Sequence, residues 1–212
     1  LNEEFTFGKF TDGRRGVENL DAFYRTMGFE GKFTPKVRQE FFEKKAGQRK
    51  KPVTSNGRPV YHIGYGIRLP IDKKEAQVLR TNGFKGNPNI LTRKPTQAHI
   101  KKLANVELTE PQAEALMKHR YANHIKELIQ KNKDVDFSVL PTQIRQVLFD
   151  MAYNIGPNFM TRKNDPFDRF KSALVANDID GMVDEIKDSK YYREQVSNRA
   201  SANIKTLLSA KN

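Results

Sequence analysis

The sequence predicts an α+β fold, mostly helical with one small β region. Three observations carry this. Apolar residues recur at helical spacing over 17–27 and again over 144–155. One run rich in β-branched and aromatic residues, 60–69, reads as strand, with small-residue breaks at Gly64 and Gly66. No internal repeat is present, and 212 residues suit one compact unit or two small lobes sharing a core.

In chain order, residues 1–16 hold Gly8, Gly13 and Gly16 without a period, and are expected to form an arm or linker. Val17, Leu20, Phe23, Tyr24 and Met27 share one helical face, and Gly28 is the expected stop. Residues 36–60 mix a few apolar positions with loop and turn signals, among them Asn56-Gly57, a good hairpin turn. Asp72 is placed to cap a helix running to about Arg80, with Asn82-Gly83 stopping it. A loop through Gly86, Pro88 and Pro95 follows. Thr109 and Gln112 have the spacing of a capping box and open a long helix through Leu116, Ile125 and Ile129. Pro141 opens another, with Ile144, Val147, Leu148, Met151 and Ile155 on one face and Gly156-Pro157 at its end. Further helices are expected over about 166–176, 180–187 and 198–209.

Lys and Arg total 38 against 25 Asp and Glu, a formal charge of +13. That balance predicts an anionic partner: nucleic acid, an anionic membrane surface or a polyanionic wall polymer. Fourteen Phe and seven Tyr are enough to anchor a core. The absence of Cys excludes a disulfide scaffold, a thiol nucleophile and a Cys zinc site. The four His lack metal-ligand spacing, so no metal and no cofactor is implied. No apolar run approaches the roughly 20 residues of a membrane span, and no signal peptide is visible. The start at Leu1 fits a processed product or a piece of a larger protein.

Glu30 is the first residue to suggest chemistry. It follows the end of the first helix and precedes Gly31, a place where two lobes can meet. A carboxyl partly desolvated there would have a raised pKa and could act as a general acid. The alternative is a solvated helix-end residue.

Four motifs then occur in one order: Glu30-Gly31 with His62-Ile63-Gly64-Tyr65-Gly66, Leu108-Thr109-Glu110-Pro111-Gln112-Ala113-Glu114-Ala115-Leu116, Asn154-Ile155-Gly156-Pro157, and Asn198-Arg199-Ala200. With them the chain resembles the phage-type lysozymes, the endo-N-acetylmuramidases, over roughly residues 17–209. The resemblance implies a two-lobed lysozyme-like α+β fold, with a β lobe at about 32–70 and a helical lobe at about 71–212, residues 17–212 forming the catalytic domain. It implies hydrolysis of the β-1,4 bond between N-acetylmuramic acid and N-acetylglucosamine in bacterial peptidoglycan. Glu30 matches the family's catalytic acid, and Arg199 matches the Arg that pairs with it. A cation there would lower the Glu30 pKa while burial would raise it.

The chain departs from the pattern between Glu30 and His62, an interval of 32 residues that is far longer than the family's. The family's Asp has no counterpart, since no Asp lies between Asp21 and Asp72. Glu43 is the nearest candidate for a second carboxylate because the segment 41–47 loosely copies the family's hairpin motif, and Glu40 is its rival. His62 stands where the family has Thr. Thr can orient a water, whereas a neutral imidazole can also take its proton or attack carbon directly. A strand His bonded to neighbouring backbone is the plainer alternative.

Tyr65 and Asn154 fall near the family's cleft, where Tyr offers a face to sugar rings and Asn can bond an acetamido group. Packing and capping are the alternatives. Lys44, Lys45 and 49–51 form the densest basic patch, but base-stacking aromatics are not interleaved with it, which argues against nucleic acid. A lytic transglycosylase, needing one carboxyl and no positioned water, stays open. So does a non-catalytic wall- or nucleic-acid-binding module. The expected place of action is the periplasmic wall, reached from the host cytoplasm as an endolysin or carried in the virion as part of a larger protein.

Overall fold

The structure, a computed structural model, describes Gly28 and residues 33–42, 58–94, 97–161, 167–189, 192–193 and 197–211. Gly28 is helical; the expected arm, the body of the first helix and the Asn56-Gly57 turn lie outside the described residues. The described chain is mixed α+β and mostly helical, with a three-stranded antiparallel sheet and seven α-helices among those residues.

The sheet has the order β1 (Thr34–Phe42), β2 (Arg58–Gly64), β3 (Ile67–Arg68). Its register sets Arg38 opposite His62 and Thr34 opposite Gly64, with an irregularity between Thr34 and Arg38. β3 folds back on β2, with Ile63 opposite Ile67 and His62 opposite Arg68. The run expected as one interrupted strand is therefore two strands joined by a tight turn. Gly64 and Gly66, at φ 66° and 78°, supply the left-handed conformations that reverse the chain. Gly64 has a second reason to lack a side chain: a Cβ would stand 2.9 Å from the Cβ of Ala113. Alternation along β2 and β3 buries Tyr61, Ile63 and Ile67 and leaves His62 and Arg68 on the other face.

α1 (Lys73–Thr81) starts where Asp72 and Glu75 cap each other's backbone N–H, at 2.7 and 2.8 Å, and stops at Asn82 and Gly83. The expected loop beyond it contains a 3-10 turn, Pro88–Thr92, and then α2 (Gln97–Leu103), a helix the sequence reading lacks. α3 (Glu110–Lys131) opens on the expected box: Thr109 N–H donates to Gln112 Oε1 at 3.0 Å and Gln112 N–H to Thr109 Oγ1 at 3.4 Å. α4 (Thr142–Ile155) follows Pro141 and ends at Gly156, φ 100°. α5 (Asp168–Val175), α6 (Ile179–Asp188) and α7 (Ser197–Leu208) complete the set.

Two compact units result, and their boundary lies between Arg120 and Tyr121, inside α3. The resemblance implies a change of lobe near residue 70; contacts group α1 and α2 with the sheet. Hydrogen bonds explain this. Ile71 N–H donates to Leu91 O at 3.0 Å, Gln112 Nε2 to Asn82 O at 3.2 Å, and Arg120 Nε to Glu75 at 2.6 Å. The core of the sheet-bearing unit includes Ile63, Leu79, Leu91, Leu108 and Leu116. The other unit, helical with no strand among its described residues, centres on Leu128, Val147, Leu148, Met182 and Ile186, with Phe159, Phe167 and Phe170 packed edge to face at 5.7 to 6.2 Å. No helix among the described residues is long and apolar enough to cross a membrane.

Candidate functional site

Glu30 and Glu43 lie outside the described residues. Glu40 pairs through its backbone with Val60, two positions along β1 from Arg38. The remaining candidates fall into two groups, one in each unit.

The first group is built on the sheet. His62 is half-buried, on the face opposite the buried Tyr61 and Ile63. Its cross-strand partners are Arg38 on β1 and Arg68 on β3, both exposed. Directly opposed residues share a face, so two guanidinium-bearing side chains flank the imidazole in one row across the sheet. Such a row suits an anion or a polar, oxygen-rich ligand. Tyr65 sits three residues on, in the turn. Its hydroxyl donates to Glu110 at the start of α3, and its ring meets Phe33 at 5.6 Å and 51°. Burial, reinforced by the bond to Glu110 and its charge, pushes the phenol up to about 12. The hydroxyl is thus a neutral donor already committed to a carboxylate, and Tyr65 is fixed rather than free to swing.

The second group lies on α4 and α7. Arg199 is 5% exposed and faces Asp150, which is fully buried at 0%. The Arg199 Nη2 donates to Asp150 Oδ1 at 2.8 Å and Nε to Oδ2 at 3.0 Å, a bidentate pair. Asn203, one turn further along α7, donates to the same Oδ2 at 2.8 Å. A buried ion pair persists only when such hydrogen bonds offset its desolvation, and here both carboxylate oxygens are engaged. Asn154 lies one helical turn beyond Asp150 on α4, half-buried, its amide making no hydrogen bond among the described residues.

Asp150 is the residue that the sequence reading missed. A signal existed: it is the one charged residue in the mostly apolar run from Val147 to Ile155. Burying a charge there demands a cation, and Arg199 was already in view. Among the described residues, no three His, Asp or Glu side chains converge as a metal ion would require. Compared with family models and with curated proteins, the chain matches none.

Proposed function

We propose that this chain is a phage-type muramidase that hydrolyses the β-1,4 bond between N-acetylmuramic acid and N-acetylglucosamine in bacterial peptidoglycan, as an endolysin or a virion-associated lysozyme. The observation that carries the reading is the ordered set of four motifs that contain Glu30, His62, Asn154 and Arg199. The local structure supports it at three of the motifs. Gly64-Tyr65-Gly66 makes a tight turn, Thr109 and Gln112 cap a long helix, and Gly156 ends α4 directly after Asn154.

In this reading Glu30 protonates the departing glycosidic oxygen. His62 takes the proton of the attacking water or attacks the sugar carbon itself, with Glu43 as the alternative second group. Asn154 bonds an acetamido group and Tyr65 helps to wall the subsite. Arg199 is held by Asp150.

One sequence observation favours a second reading within enzymes. With no Asp between residues 21 and 72, a lytic transglycosylase, which needs no positioned water, also fits. Clearing of purified peptidoglycan tests both. The Glu30→Gln variant should lose about 10²–10⁴ in rate while keeping its fold, because it loses the proton donor but keeps its size. Near wild-type clearing by that variant sinks the assignment. The products separate the two chemistries, a reducing muramic end for hydrolysis and an anhydro end for transglycosylation.

A further inference from the structure

We infer that the sheet-bearing unit carries a second, non-catalytic binding site: a pocket for an anionic sugar between the 84–93 loop and α2. The pocket has a volume of about 590 Å3, within the roughly 300–1,000 Å3 usual for small-molecule sites. All its lining residues lie between Phe84 and Glu107, so it belongs to one unit.

Its chemistry is one-sided. Lys85, Arg93 and Lys102 line it, and none of the three forms an ion pair or a side-chain hydrogen bond among the described residues. The single acid on the wall is Glu107. Three cations around one concavity hold a favourable potential for an anion, raised by the low-dielectric wall behind them. Amides from Asn87 and Asn105 add donors and acceptors suited to hydroxyl or acetamido groups. Phe84 and Val106 add an apolar surface of the kind a sugar ring covers. Anion, hydroxyls and an apolar ring face occur together in a carboxylated or phosphorylated sugar.

The walls are pre-formed. Asn87 caps the 3-10 turn by accepting from Asn89 N–H at 3.0 Å, and Arg80 clamps Asn89 Oδ1 at 2.9 Å. His99 Nε2 on α2 donates to Ile90 O at 2.6 Å, fastening the helix to the loop. Leu91, fully buried, and the Ile71 N–H to Leu91 O bond anchor the loop to the core. A ligand would therefore bind without ordering these walls, which favours affinity.

The inference stands apart from the muramidase reading, because binding here requires neither Glu30 nor turnover. The test is an amide NMR titration of the full chain with three probes: N-acetylmuramic acid, N-acetylglucosamine 6-phosphate and uncharged N-acetylglucosamine. Both anionic sugars should shift amides within 84–107, at least tenfold more tightly than the neutral sugar. Which anion binds better identifies carboxylate or phosphate as the natural source. The R93A/K102A variant should weaken the anionic sugars at least tenfold, with its melting temperature unchanged because both side chains are exposed. The single variants R93Q and K102Q serve if the double variant misfolds, each giving a smaller loss in the same direction. Equal binding of the neutral sugar, shifts confined to residues outside 84–107, or unchanged affinity in the folded variants would overturn the proposal.

Discussion

Burial holds the His119 imidazole on α3 below the ordinary histidine value of 6.5. Glu75 and Asp72 pull the other way, while Lys74 and Arg120 add to the lowering. The unfolded chain therefore binds more protons than the native one as pH falls through 6.5 and below. Stability from this group is complete above that pH and is lost as pH falls toward the native pKa. Denaturant midpoints at pH 7.5 and pH 5 should differ less in His119→Gln than in the parent; an equal difference would mean that His119 does not report its burial. Asp150 and Arg199 carry a larger consequence. Removing one partner strands a charge in a site where the other is at most 5% exposed. Asp150→Ala or Arg199→Ala should cost about 3–5 kcal/mol in urea unfolding. The double variant should cost much less than the sum, because neither charge is then left alone. Arg199 was visible in the sequence because it belongs to a motif. Asp150 shows only as a lone charge among apolar neighbours, and its meaning depends on a cation 49 positions away.

Helix termini were the most legible elements, since each is decided within a few residues. Asp72, Thr109 with Gln112, and Gly156 all act on backbone groups next to them, and all stand where the sequence puts them. The strands were harder. β1 carries a mixed, polar sequence and is defined by its pairing with β2, a partner separated by the segment 43–57. α2 is only seven residues long and carries too short a period to stand out. From sequence alone, Gly64 and Gly66 look like breaks in one strand, because small residues in a strand are equally compatible with a bulge. The geometry of the turn supports a sharp contrast. Gly64→Ala meets both a left-handed backbone and the Ala113 side chain at 2.9 Å, and should cost about 2–4 kcal/mol. Gly83→Ala has a left-handed backbone too, but nothing lies within 4 Å of the added carbon, so only about 1–2 kcal/mol should be lost. Equal losses in thermal or urea melts would show that the close approach of β2 to α3 is not what selects glycine.

At the scale of the whole molecule, the excess of 38 basic over 25 acidic residues produces a long-range field rather than a specific contact. A field and a site respond differently to salt. The Debye length is about 10 Å at 0.1 M and about 3 Å at 1 M, so attraction to a polyanionic wall fades while short hydrogen bonds inside a pocket persist. Electrostatic steering of this kind raises association rates by about 10–10³-fold. Under the muramidase reading, clearing of intact wall at low substrate should therefore fall at least about tenfold between 0.05 M and 1 M salt, through slower encounter. Turnover of a short, uncharged glycan fragment at saturation should hardly change over the same range, because there the chemistry or product release sets the rate. The two assays run side by side separate the +13 charge from the catalytic residues. If fragment turnover drops in parallel with wall clearing, salt is acting on the site itself, and the net charge is not what brings this protein to its substrate.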